Sequence, residues 1–233
     1  EYYSYSCDYL DKVPIPEGDY EELRPLAEEA QEIKAEMEQL NLNIQDYVDL
    51  SSGETTLLDL AGYQPAPGVN KTNLSKTKDE LENLRVGNIK VDLDDHISVF
   101  LTARYKPEND EIETDQWGYT ETDPITVMKF VGFTDAEKVY LAESLKTIIK
   151  EGGGLANFRE TATTTMSLLD RISNIQLPHP EEVSNQVQAY YSTYNRQKEL
   201  SKRLGEIEKH VNTVLADAYG LSDDQLNLIK ESK

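Results

Sequence analysis

Apolar residues recur at alternating steps of three and four along two stretches of this chain. Leu23, Leu26, Ala30, Ile33, Met37, Leu40, Ile44 and Tyr47 form the first seam and predict a helix over residues 20–48. Asp19 with Glu22 is a candidate capping box, while Pro25 calls for a kink or a later start near Leu23. The second seam runs through Val183, Val187, Tyr190, Tyr194, Gln197, Leu200, Leu204, Ile207, Val211, Val214 and Ala218, predicting a helix over 181–219. Its spacing slips once, placing Gln197 at an inner position, which locally overwinds a coiled coil. Gly220 suits the residue after the helix, and Ser222 starts a short final helix carrying Leu226 and Ile229. Each long helix has one apolar stripe and a polar back, so each needs a partner. The two are predicted to pair antiparallel.

The texture between them is different. Residues 57–61 read as a turn of helix, 64–77 as an exposed loop rich in Pro, Gly and Asn, and 78–85 as a short helix. Two β-rich runs, 88–93 and 96–105, meet at Asp94-Asp95 and predict a hairpin. A long polar loop over 106–123 holds Trp117, the chain's one tryptophan, and residues 125–131 read as a third strand. Thr134 and Glu137 box the start of an amphipathic helix to Lys150; Gly152-Gly153-Gly154 breaks the chain before another helix over 157–172. The expected fold class is α+β and mostly helical: two long heptad-patterned helices pairing antiparallel, with a small β-hairpin or three-stranded insertion and short helices between them. The expected domains are 1–53 (the end of a recognition domain plus a first spacer helix), 54–177 (a small α+β recognition-like body) and 178–233 (a second spacer helix and C-terminal helix).

Charge complicates this picture. The 233 residues carry 44 acidic and 23 basic groups, a net charge of −21, with a mean hydropathy of −0.62. Residues 1–60 hold 16 acidic and three basic groups, whereas 66–107 hold seven basic and six acidic. Acidity opposes nucleic-acid binding, which depends on Lys and Arg displacing counterions from phosphates. Three readings stay open: a solvated acidic surface, adaptation to a salty cytoplasm as in a halophilic archaeon, or mimicry of nucleic acid. At high ionic strength the screening length falls to about 3 Å near 1 M, which softens the conflict with DNA binding. Lys outnumbers Arg by 16 to seven, which is not the expected mark of extreme salt adaptation.

Cys7 is the single cysteine, so no internal disulfide exists and a reducing, cytoplasmic setting is expected. No apolar run approaches the ~20 residues of a membrane span, so no membrane partner is expected. Glu1 in place of an initiating methionine reads as a piece of a longer polypeptide. Enzyme signatures are scarce: His96, His179 and His210 lie far apart, and no dinucleotide fingerprint, Walker loop or nucleophile elbow occurs. Asp92, Asp94 and Asp95 read as a solvated turn more readily than as a cation site. No catalytic residue, cofactor-binding residue or metal ligand is assigned, and the piece is read as non-catalytic by itself.

One phrase occurs twice. Leu10-Asp11-Lys12-Val13-Pro14-Ile15-Pro16 and Leu169-Asp170-Arg171-Ile172 through Ile175-Gln176-Leu177-Pro178-His179-Pro180 both run from Leu-Asp-basic to a proline-closed apolar stub, then into a long heptad helix. This order resembles the specificity parts of restriction-modification systems, the type I specificity subunits and the C-terminal regions of type IIG restriction-methylation enzymes. There a recognition domain ends in a hydrophobic-Pro-x-Pro step and enters a spacer helix. Tyr219-Gly220-Leu221-Ser222-Asp223-Asp224 is similar to the tail of type IIG polypeptides. Thr102-Ala103-Arg104-Tyr105-Lys106-Pro107 and Trp117-Gly118-Tyr119-Thr120 resemble haloarchaeal members of that group.

The resemblance implies a DNA sequence-specificity and scaffold region that positions recognition elements on duplex DNA. The parent would be an adenine-specific DNA methyltransferase and restriction endonuclease. Its methyltransferase and nuclease domains, with S-adenosylmethionine and Mg as cofactors, would lie upstream, since neither Asn/Asp-Pro-Pro-Tyr/Phe nor a Pro-Asp…Glu-x-Lys core occurs here. Candidate phosphate contacts are Lys71, Lys76, Lys78, Lys90, Arg104, Lys106 and Lys129, with Trp117 and Tyr119 reaching bases from the loop. A mixed-charge surface and aromatic anchoring of the loop account for the same residues without DNA. The opposing functional reading is an acidic coiled-coil interaction module, or a DNA mimic, that binds no DNA.

Overall fold

The computed structural model describes residues 20–77, 79–109, 111–156, 166–222 and 225. In chain order the described elements are α1 (Leu23–Gln39), β1 (Thr55–Thr56), β2 (Tyr63–Pro65), β3 (Glu82–Leu93), β4 (Ile97–Lys106), β5 (Thr120–Glu121), β6 (Ile125–Phe130), α2 (Asp135–Glu151), α3 (Leu168–Ser173), β7 (Gln176–Leu177) and α4 (Ser184–Ala218). The chain divides into two compact units. One comprises the described residues up to Leu40 together with those from Tyr194 onward; the other is Asn41–Thr193.

The expectation of a mostly helical fold built on two long helices is overturned. Five strands form one antiparallel sheet and two more a separate pair, so strands take a large share of the structure. The first helix is shorter than expected, ending at Gln39 instead of near residue 48. Asn41 Oδ1 accepts the Asn43 N–H at 3.0 Å, and Asn43 Oδ1 accepts the Gln45 N–H at 3.3 Å. These local bonds compete with helix continuation, so the chain leaves the helix at Leu40 in extended backbone. Ile44 and Tyr47 then belong to a 3₁₀ turn instead of the seam. Pro25 falls in the first turn of α1, where its missing N–H costs nothing.

In the first unit α1 and the later part of α4 pair antiparallel, as the seams predict. Ile33, Leu200 and Ile207 are buried, with Leu26, Ala30, Met37, Leu40, Leu204 and Val211 packed around them. Glu36 pairs with Arg196 and Glu29 with Arg203, each through two bonds of 2.6–2.8 Å, which sets the direction of the pairing. Gln197 Oε1 is buried without a hydrogen bond, where the seam slips. After Ala218 the Leu221 N–H bonds Ala216 O and the Gly220 N–H bonds Asp217 O, a Schellman ending at the predicted glycine.

The second unit is built on the sheet β2-β6-β4-β3, with β5 paired to the far end of β4. The hairpin β3–β4 and strand β6 lie where alternation predicts them. Ile97, Val99, Leu101, Met128 and Phe130 are all but fully buried. Of the predicted helix over 78–85, residues 82–85 are instead the start of β3, because Leu84 and Val86 alternate into the core. The expected exposed loop is also different: Tyr63–Pro65 is an edge strand on β6, and Ala66, Val69 and Leu74 are buried anchors. α2 starts at the predicted capping box, with both Thr134 and Glu137 bonds formed, and packs against β3. Of the helix expected over 157–172, residues 168–173 are helical as α3; residues 157–165 lie outside the described residues.

The second proline stub is stitched into this unit. Thr55 and Thr56 pair with Leu177 and Gln176, Leu57 N–H bonds Ile175 O at 3.1 Å, and Tyr140 Oη donates to Pro178 O at 2.8 Å. Residues 13–16, the first stub, lie outside the described residues, as do most of the expected final helix.

Candidate functional site

Two irregularities in β3 decide which side chains meet. Counted back from the Asp94-Asp95 turn without interruption, Arg85 falls opposite Tyr105. A bulge at Gly87-Asn88 sets two residues against Thr102 and shifts the register, so Arg85 lies opposite Arg104. A second shift near Asn83, which has a left-handed backbone (φ 55°), brings Glu82 opposite Lys106. The bulge is held from both sides. The Asn88 N–H donates to Thr102 Oγ1 at 2.7 Å, and that hydroxyl donates to Glu121 on β5. A Cβ at Gly87 would meet the Glu121 carboxylate, so a larger residue there would push that side chain aside.

The register gathers cations around one ring. Tyr119 has Arg85 Cζ 4.5 Å, Arg104 Cζ 5.0 Å and Lys106 Nζ 5.3 Å from its ring centroid. A cation over an aromatic face gains about 0.5–1 kcal/mol at exposed sites, but like charges directly opposite in a strand pair repel. Counter-charge comes from Asp115, bonded to Arg104 Nη2, and from Glu121, 3.9 Å from Arg104 Nη1. Arg104 Nε is buried with no hydrogen bond.

Asp115 also builds the turn that carries the tryptophan. Its Oδ1 accepts the N–H groups of Trp117 (2.8 Å) and Tyr119 (2.9 Å), while its own N–H bonds Tyr119 O at 2.8 Å. Its carboxyl is therefore held below the ordinary aspartate value, chiefly by the Tyr119 N–H, against opposing desolvation, and then by the Trp117 N–H and Arg104. Trp117 projects from this turn 69% exposed, unusual for so large an apolar side chain.

Of the residues the sequence singled out, Arg104, Lys106, Trp117 and Tyr119 come together here. Lys76 is paired with Glu80 at 2.9 Å, and Lys90 with Asp92 at 3.0 Å while lying over Phe100. Lys71 ends a 3₁₀ turn, and Lys129 sits half-buried on β6 between Gln64 and Ser98. Lys78 lies outside the described residues. Arg85 and Asp115 were missed. An isolated glycine inside a strand pattern, Gly87, was the available sign of a bulge and of a changed register.

Among the described residues no group of three or more His, Cys, Asp or Glu side chains gathers as a metal site. None of the described helices is long and apolar enough to cross a membrane. Comparison with protein-family models, curated proteins and solved structures finds no match to this chain.

Proposed function

We propose that the unit 41–193 is a duplex-DNA contact module, acting as the recognition part of a restriction-modification specificity region, with the paired helices as its spacer. The observation that carries this reading is the exposed Trp117, presented by the Asp115 turn beside three cations on the Tyr119 ring, in a chain of net charge −21. Arg85, Arg104 and Lys106 supply phosphate contacts, which fix position, and Trp117 reaches the base edges or sugar from the turn. On this reading methyl transfer and strand cleavage, with S-adenosylmethionine and Mg, belong to other domains of the parent enzyme, and the module works in the cytoplasm. The antiparallel seam of α1 and α4 supports the spacer role, since such pairing fixes a length.

The test is fluorescence anisotropy of a labelled duplex titrated with the full chain between 50 and 200 mM salt. Affinity falls as salt rises, and Lys106→Ala lowers the slope of log K against log salt by about one. Trp117→Ala weakens binding at every salt. Absence of duplex binding throughout this range, together with capture of a basic protein, would replace this reading with the acidic interaction module.

A further inference from the structure

We propose that the second unit holds a pocket for a small phosphorylated ligand carrying at least two phosphate charges, of nucleotide size. The pocket is a cleft of about 550 Å³ between the β3 bulge, Arg104 on β4, the last turns of α2 and the glycine turn that follows. Its charged lining residues are Arg85, Arg104, Lys146 and Lys150, all basic. That is contrary to the composition of the chain, where acids outnumber bases nearly two to one.

Three carboxylates face this group from outside the lining: Glu143 pairs with Lys146 at 2.7 Å, Asp115 with Arg104, and Glu121 stands 3.9 Å from Arg104. Arg85 and Lys150 form no ion pair among the described residues. Lysines near a helix C-terminus have an ordinary explanation, because they offset the negative end of its dipole. Two arginines brought opposite one another from an adjoining hairpin do not share it. Their repulsion is relieved by an anion that both forks can grip, and guanidinium forks match phosphate oxygens two at a time.

The backbone keeps the cleft open. Gly154 adopts a left-handed conformation (φ 73°) and lies so close to β3 that a Cβ would strike the Val86 carbonyl oxygen. The turn closes against the strand at that point and leaves no side chain to fill the space. The volume lies within the range of about 300–1,000 Å³ typical of small-molecule sites, more than a single phosphate needs. Val86, Ile89 and Ile149 supply the apolar part of the lining, against which the organic part would rest. Arg85 and Arg104 are shared with the DNA-contact reading, whereas Lys146 and Lys150 take no part in it, so variants at the two lysines test the pocket apart from that reading.

Isothermal titration of the full chain at low salt tests the proposal, with tripolyphosphate, ATP and inorganic phosphate as probes. Tripolyphosphate and ATP bind one to one and inorganic phosphate at least tenfold more weakly. The double variant Lys146→Ala/Lys150→Ala lowers tripolyphosphate affinity at least tenfold, with its circular dichroism unchanged. Trp117→Ala and Lys90→Ala, both outside the cleft, bind like the unmodified chain. Titrating a 20-base-pair duplex into the Lys146→Ala/Lys150→Ala variant separates the two sources of phosphate: unchanged duplex affinity assigns the cleft to a free ligand, and weakened duplex affinity assigns it to phosphates of the nucleic acid. No heat from tripolyphosphate or ATP, or equal affinity in the Lys146→Ala/Lys150→Ala variant, would overturn the pocket. Loss of duplex binding alone would leave it standing.

Discussion

Replacing Tyr140 with phenylalanine removes one hydroxyl from the centre of the second unit and leaves its ring in place. The side chain is fully buried, and its Oη donates to the Pro178 carbonyl at 2.8 Å, tying α2 to the stretch that leads into α4. Phenylalanine fills the same space but strands a buried carbonyl. A hydrogen bond contributes about 1 kcal/mol net and an unsatisfied buried acceptor costs about 1–3 kcal/mol, so a loss of about 1–2 kcal/mol is expected. For a domain near 150 residues that lowers the thermal midpoint by about 2–8 °C. Alanine at the same place adds a cavity and costs about 3–5 kcal/mol. Urea denaturation followed by circular dichroism measures both. A pH series adds a second reading. Burial, then the nearby Glu182 carboxylate, push the Tyr140 hydroxyl well above the ordinary tyrosine range. The unfolded chain releases this proton near pH ~10 and the folded chain does not, so stability present below pH 10 declines as pH rises beyond it. Tyr140→Phe abolishes this residue's share of that decline. A Tyr140→Phe protein as stable as the original, with an unchanged alkaline slope, would refute the reasoning.

Two further outcomes follow from the same geometry. Ile207→Ala, at a seam position only 2% exposed, is expected to cost the helix pair about 2–5 kcal/mol, seen as an earlier loss of helical signal on heating. An unchanged transition would mean that the seam is not what holds the pair. Asp115 has a lowered carboxyl pKa, so its contribution is complete above the ordinary aspartate value of ~3.9 and is lost as pH falls through the lower folded value. Trp117 emission should therefore hold steady from pH 7 to about 4 and change only below it, whereas Asp115→Asn shifts it already at neutral pH. Emission that drifts between pH 6 and 5 would contradict this account of the turn.

What the residue pattern revealed and what it hid have physical causes. The hairpin at Asp94-Asp95, strand β6, the Thr134–Glu137 cap and the Gly220 ending were legible because each is decided by neighbours within a few positions. The true length of α1 was not. Its heptad seam continues to Tyr47, but two asparagine side chains capture backbone N–H groups that the helix would have used. Strands β1, β2 and β7 hold two or three residues each, too few for a period of two to show. The stretch 64–77 read as exposed from its Pro, Gly and Asn content, yet its few apolar residues are anchors. In the candidate site, the structure brings together Trp117, Tyr119, Arg104 and Lys106, which the sequence singled out because they are close along the chain in and beside the least acidic stretch. Arg85 was lost to a one-residue register shift, and Lys146 and Lys150 to their distance along the chain.

That register shift bears on why an acidic chain would keep such a cluster at all. With carboxylates in nearly twofold excess, the easiest arrangement is one in which each cation finds a carboxylate beside it, as Arg24 does with Glu28, Lys76 with Glu80 and Arg203 with Glu29. Exposed pairs of this kind contribute little to stability and need no special construction. The β3 bulge acts in the other direction. It sets Arg85 against Arg104, and it is held by the hydrogen bonds that run from Asn88 through Thr102 to Glu121. Without it, Arg85 would face Tyr105, and the two guanidinium groups would lie a residue apart in register. Asp115 and Glu121 offset the charge at Arg104, while Arg85 has no ion pair among the described residues, and that is where the proposed anion from outside the chain would act. The duplex experiment and the tripolyphosphate titration address that inference through different residues: Lys106 and Trp117 in the one, Lys146 and Lys150 in the other.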